Sequence, residues 1–80
     1  MLTAPQIETE LRRQLAHAQN AGLPYIDIKA GDLHKDVKGQ ARVPLLCHVM
    51  RKLMESGDRV LHEPASGQST SVVIRYVLPR

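Results

Sequence analysis

Hydrophobic positions near the start of the chain recur with a helical period. Apolar side chains lie three or four residues apart along one face, at Ile7, Leu11, Leu15 and Ala18. Thr3 and Gln6 have the spacing of a capping box, and Gly22 supplies a stop signal. The pattern therefore predicts a first helix from about Thr3 to Asn20.

After Pro24 the pattern changes twice within fifteen residues. Residues 25–28 (Tyr-Ile-Asp-Ile) alternate and are partly β-branched, which predicts a short strand. Leu33 and Val37, four residues apart, then predict a second, short helix from about Gly31 to Lys38, closed by Gly39. Asp32 would serve this helix as a cap or first-turn acid.

A third helix is predicted to start at Pro44, since proline suits the first helical position. Its buried face has the i, i+3, i+4, i+7 spacing, with Leu46, Val49, Met50 and Leu53. The opposite face carries polar side chains, namely His48, Arg51, Lys52 and Glu55. The run Ser56-Gly57-Asp58 is expected to end it.

The last third of the chain has the pattern of a β-hairpin. Residues 59–63 form the first predicted arm and residues 71–78 the second. Between them lies a turn-rich segment, residues 64–69, called the hairpin loop below. In the second arm, alternate residues form two rows that would lie on opposite faces of the strand. One row is Val72, Ile74 and Tyr76, and the other is Val73, Arg75 and Val77.

The predicted order is helix, strand, helix, helix, strand, loop, strand. Helices two and three are joined by a short turn that contains Gly39, which is typical of a helix-turn-helix. The whole order resembles the winged helix-turn-helix family, in which the short strand after the first helix joins the hairpin. The resemblance implies an α+β fold in one domain, residues 1–80, and binding of double-stranded DNA.

Four short strings carry a second, narrower resemblance. They are similar to segments of small stand-alone bacterial proteins of unassigned function, which adds no activity but leads us to expect that 80 residues form a complete protein. The strings are Ala30-Gly31-Asp32-Leu33-His34, Arg42-Val43-Pro44, Ser66-Gly67-Gln68 and Ile74-Arg75-Tyr76.

Composition narrows the classes of function. Eleven Lys and Arg against eight Asp and Glu give a formal net charge of +3, which permits a polyanionic partner without requiring one. With two Tyr and no Phe or Trp, the chain offers few stacking platforms for single strands or RNA. One cysteine, no signal segment and no membrane-length apolar run lead us to expect a cytoplasmic protein.

The third helix is the expected recognition helix, since the major groove admits a helix whose side chains reach base edges. Arginine pairs with guanine, lysine reaches bases or phosphates, and loop hydroxyls, amides and N–H groups contact phosphate. The expected DNA-binding residues are Arg42, His48, Arg51 and Lys52 at the third helix, Lys35 and Lys38 beside the second, and Ser66 and Gln68 in the hairpin loop. Arg59 and Arg75 would add charge if they point outward.

Two other uses stay open at this point. The hairpin loop has no basic tip, and Leu45, Cys47 and Met54 make the third helix unusually apolar, so a winged-helix module that binds a protein is the main alternative. A dimerisation role would use Leu11 and Leu15 or, if exposed, an edge or dimer contact at Val73 and Val77.

Signatures of catalysis and of metal binding are missing from the sequence. There is no G-x-S-x-G elbow, no P-loop, and no Cys or His pair with zinc-ligand spacing. We therefore expect no enzyme activity, no metal and no cofactor, with Cys47 as a half-buried packing residue.

Overall fold

The computed structural model describes residues 2–63, 65 and 70–79. Three helices and three strands follow one another as α1 (Ala4–Asn20), β1 (Tyr25–Lys29), α2 (Ala30–Asp36), α3 (Val43–Lys52), β2 (Arg59–His62) and β3 (Val73–Val77). The predicted α+β class and the order of elements are confirmed. None of the described helices is both long and apolar enough to cross a membrane.

The three strands form one antiparallel sheet with the order β1-β3-β2. The strand that follows α1 thus joins the hairpin, as predicted, and it lies against β3 from the Tyr25–Val77 pair to the Lys29–Val73 pair. Because β3 lies between the other two, both of its sides are hydrogen-bonded. The register between β2 and β3 shifts between Val60 and His62, which marks a bulge.

The helices pack on one face of this sheet around a single apolar core. The predicted inward row of β3, Val72, Ile74 and Tyr76, is fully buried. The Tyr76 hydroxyl donates a hydrogen bond of 2.8 Å to the carbonyl of Met50 in the last turn of α3. Helix carbonyls in that turn lack intrahelical donors, so Tyr76 both fills the core and ties α3 to the sheet.

Helix α2 ends at Asp36, two residues earlier than the sequence predicts. Lys38 and Gly39 both have positive φ, at 57° and 68°, and this left-handed backbone cannot continue a helix. The Gly39 N–H donates to the carbonyl of His34 at 2.8 Å, which closes the turn. Lys38 therefore lies in the turn between α2 and α3 rather than on α2.

Helix α3 ends at Lys52, so the prediction that it continues to Ser56-Gly57-Asp58 is wrong. The Met54 N–H donates to the carbonyl of Arg51, which tightens the chain into a turn. The Asp58 carboxylate accepts 2.8 Å hydrogen bonds from the N–H groups of Glu55 and Val77, so it fixes this turn against β3. Glu55 consequently lies outside the helix.

Candidate nucleic-acid interface

The outer face of α3 is polar from His48 to its C-terminal end and carries two cations, Arg51 and Lys52. Arg42 is the exposed N-cap residue, His48 and Lys52 are exposed, and Arg51 is half-buried. The side chains that face inward are apolar, and Leu46 and Met50 are fully buried. One face of α3 is therefore fixed in the core, while the other carries His48, Arg51 and Lys52, and Arg42 lies just before the helix, as the sequence predicts.

An ion pair connects this face to the hairpin. A terminal guanidinium nitrogen of Arg51 lies 2.9 Å from Oε1 of Glu63, the residue that follows β2 and precedes the hairpin loop. The contact brings the end of β2 beside the outer face of α3. Both side chains are partly exposed, so the pair contributes little to stability, and another anion can replace Glu63 as the partner of Arg51.

A second acid lies on the other side of α3. The Lys52 ammonium is 3.8 Å from Oε2 of Glu8 on α1, and Glu8 also binds Arg12 at 2.9 Å. With 3.6 residues per helical turn, His48 falls between Arg51 and Lys52 around the helix. The cationic face of α3 is therefore bordered by one carboxylate on each side.

The lysines beside α2 remain accessible. Lys35 lies in the last turn of α2 and Lys38 in the following turn, and both are exposed.

The start of α2 is held against the hairpin, because the Gly31 N–H donates to the Thr70 carbonyl at 2.9 Å. A Cβ on Gly31 would lie 3.0 Å from that carbonyl oxygen, so glycine permits this close approach. Asp32 lies in the first turn of α2, not at its cap.

The apolar side chains that made α3 a candidate protein-binding helix belong largely to the core. Cys47 is fully buried, so the prediction that it is half-buried is wrong. Leu45 and Met54 are partly buried and pack against the same core. The outer face of α3 is thus more polar than the sequence suggests. Ser66 and Gln68 lie outside the described residues.

Arg75 points outward, as its place in the outer row of β3 requires, but its charge is already engaged. It donates to both carboxylate oxygens of Asp27, at 2.8 and 3.1 Å, and its guanidinium carbon lies 4.0 Å from the centroid of the Tyr25 ring. The hydrogen bond from Arg75 lowers the pKa of Asp27 below its ordinary value. This cluster lies across β1 and β3, on the sheet face opposite the core. Arg59, directly opposite Arg75 in the register, is exposed.

The residues suggested for dimerisation have other positions than expected. Leu11 and Leu15 are buried in the core, so they offer no surface to a partner. Val77 is exposed and Val73 half-buried, but both belong to the central strand, so the expectation of an edge contact there is wrong.

Glu63 and Glu8 are the members of this site that sequence reasoning missed. Glu63 was assigned only to the first hairpin arm, and it lies twelve residues from Arg51, beyond any local spacing rule. The signal that could have identified Glu63 is its place at the end of the first hairpin arm, because the order of elements puts that arm near α3.

Comparison with known proteins gives no relationship for this chain: no family model, no curated protein and no solved structure matches it.

Proposed function

We propose that this chain is a winged helix-turn-helix module that binds double-stranded DNA and thereby regulates transcription. In this account α3 enters the major groove and the hairpin loop is the wing beside it. The observation that carries the proposal is the Arg51–Glu63 contact, because it brings the hairpin against the outer face of the second helix of a helix-turn-helix. The strand order β1-β3-β2 supports the same arrangement.

The polar residues of this surface divide into two roles. Arg42, His48 and Arg51, on the face of α3 and at its start, are suited to base edges, and Arg51 is the best candidate for a paired contact to guanine. Lys35, Lys38 and Lys52 are suited to phosphates, which supply most of the affinity and none of the sequence information. Binding of this kind is noncovalent and requires no cofactor.

The two bordering carboxylates set a limit on affinity. A phosphate or base that approaches Arg51 must compete with Glu63, and one that approaches Lys52 must compete with Glu8. We therefore expect weak, strongly salt-dependent binding to mixed-sequence DNA. A cognate DNA sequence adds base contacts, and these offset the free energy lost when Arg51 and Lys52 separate from their carboxylates.

Glu63→Gln tests this surface directly. The amide keeps the size of the side chain but no longer holds Arg51 as an ion pair, so we expect binding to a labelled mixed duplex to tighten about threefold to tenfold at low salt, from roughly 1 kcal/mol per exposed charge contact. Fluorescence anisotropy at constant ionic strength measures the change. We also expect the wild-type protein to bind this duplex under the same conditions, because the gain is measured relative to it.

The matched control is Glu10→Gln. Glu10 also holds an arginine by two hydrogen bonds, from Arg13 at 2.8 and 2.9 Å, but on the exposed side of α1. An equal gain in both variants would show that only net charge matters and would remove α3 from the proposal. Absence of duplex binding by all three proteins at low salt would overturn DNA binding and leave a protein partner as the leading function.

A further inference from the structure

Strand β1 has an open edge. Its hydrogen bonds to β3 alternate, and the flanking bonds set their phase: the Leu78 N–H donates to the Pro24 carbonyl at 2.9 Å, and the Ala30 N–H to the Val72 carbonyl at 2.8 Å. Ile26 and Ile28 therefore face β3 with their backbone groups. The N–H and C=O groups of Tyr25 and Asp27 and the N–H of Lys29 point the other way, whereas the Lys29 carbonyl, at the N-cap of α2, accepts the first hydrogen bond of that helix. Within the described ranges, these five outward groups have no backbone partner.

The two edges of the sheet differ in a way that singles out β1. The other edge strand, β2, is interrupted by the bulge between Val60 and His62, a device that discourages pairing with another chain. Strand β1 is paired in an unbroken register over all five of its residues, Tyr25–Lys29. A regular strand with unpaired outward groups is a template for a further strand.

We propose that β1 is a dimerisation edge, at which β1 of a second copy of this chain adds antiparallel and makes the two sheets continuous. The twofold axis passes beside Asp27, so that Asp27 pairs with Asp27 of the second copy and Tyr25 pairs with its Lys29. In this register the two Asp27 residues exchange both of their backbone hydrogen bonds, and each Lys29 N–H donates to the Tyr25 carbonyl of the other copy. The inference concerns a different surface from α3 and does not depend on DNA binding.

The side chains on the outer face match this register. Tyr25 is 44% exposed and meets a lysine of the other copy, whose ammonium can lie against the ring. The two Asp27 carboxylates face one another, but each is bound by both arms of its own Arg75. The centre of the interface therefore holds two neutralised ion pairs rather than two bare negative charges.

The inner side of the edge supplies apolar surface. Between α1 and β1 lies a cavity of about 440 Å³, whose apolar lining includes Ala18, Ala21, Leu23 and Ile26. Ile26 is half-buried and Leu23 is 46% exposed. A second β1 places its Ile28 opposite Ile26 and brings the apolar lining of the two copies together. Burial of this surface favours association in addition to the backbone hydrogen bonds.

A second copy fits this edge better than an unrelated extended peptide, because the edge is complementary to itself. The outward residues are evenly spaced about Asp27, an aromatic end meets a cationic end, and the inner row pairs isoleucine with isoleucine. One twofold operation satisfies all three conditions, and a twofold interface is closed, so it stops at a dimer.

Lys29→Pro is the decisive variant. Proline removes the outward N–H of residue 29. The preceding Ile28 is extended, as proline requires, and the φ of residue 29, −92°, is about 30° from the proline value, so we expect the fold to accept the change with a small backbone adjustment. Lys29→Ala is the matched control, since it loses the same charge but keeps the N–H. Each dimer loses two hydrogen bonds in the proline variant, so we expect its dimer dissociation constant to exceed that of the alanine variant about 10- to 30-fold.

Sedimentation equilibrium over a concentration series measures both constants, with far-ultraviolet circular dichroism to verify the fold. The expected result is a wild-type dimer that the alanine variant largely keeps and the proline variant largely loses. A wild-type protein that stays monomeric up to millimolar concentration, or two variants with equal constants, overturns the proposal.

Amide hydrogen exchange supplies a readout that needs no substitution. In the wild-type protein, exchange at Asp27 and Lys29 should slow as the concentration rises, while exchange at exposed amides of the α2–α3 turn stays constant. Unchanged exchange at these two amides in a protein that does dimerise would place the interface elsewhere and overturn the β1 register.

Discussion

Replacing Tyr76 with alanine is expected to lower the free energy of unfolding by about 3–5 kcal/mol, the range seen for removal of a large buried aromatic side chain. Tyr76 is fully buried, and its ring is the largest fully buried side chain in the core. A domain of this size has a total stability of roughly 4–12 kcal/mol. The variant is thus expected to be partly unfolded at 37 °C, which urea unfolding followed by circular dichroism measures.

The Tyr76→Phe variant separates the ring from the hydroxyl. It keeps the packing of the ring and removes the hydroxyl with its hydrogen bond to the Met50 carbonyl, so we expect a loss of about 1–2 kcal/mol. If phenylalanine were as destabilising as alanine, the hydroxyl rather than the ring would dominate. A loss below about 0.5 kcal/mol would show that the Met50 carbonyl is satisfied in another way.

Removing both cations at the end of α3 is expected to weaken DNA binding about 10- to 100-fold at low salt. The variant carries Arg51→Ala and Lys52→Ala, and the estimate adds about 1–3 kcal/mol for a base contact to a smaller phosphate term. The slope of log affinity against log salt should also fall by about 0.9 for each phosphate contact that is lost. Fluorescence anisotropy across a salt series measures both quantities.

The control for this variant removes charge from the exposed face of α1. Arg13→Ala eliminates a cation that binds Glu10 and leaves Arg12 bound to Glu8, the carboxylate beside Lys52. We expect it to weaken binding by no more than the loss of one charge requires. An equal loss per charge removed in the two variants would mean that DNA, if bound, is held by overall charge and not by α3.

The local patterns predicted the helices and strands well where one face is buried. The apolar spacing in α1 and the alternation of Val72, Ile74 and Tyr76 each identified side chains that the core does bury. Those signals are strong because the burial of a whole face repeats with the period of the element. That β1 joins the hairpin as the third strand of the sheet followed from the order of elements rather than from any local pattern.

Element ends and partners at long range were predicted less well. Helix α3 ends early because Asp58 fixes the turn by accepting hydrogen bonds from Glu55 and Val77, and Val77 is nineteen residues away. Cys47 was expected to be half-buried, since its place at the border of the apolar face does not reveal that it is fully enclosed. Glu63 beside Arg51 and Asp27 beside Arg75 depend on the tertiary fold and have no signature in sequence spacing.

Binding of wild-type protein to a labelled mixed-sequence duplex, measured by fluorescence anisotropy from low to physiological salt, tests the central claim most directly. The account predicts binding at low salt that weakens linearly on a log–log plot, with a slope of about −0.9 for each phosphate contact. No binding at the lowest salt concentration, where even non-specific phosphate contacts register, would contradict the account and make the outer face of α3 a surface for a protein partner.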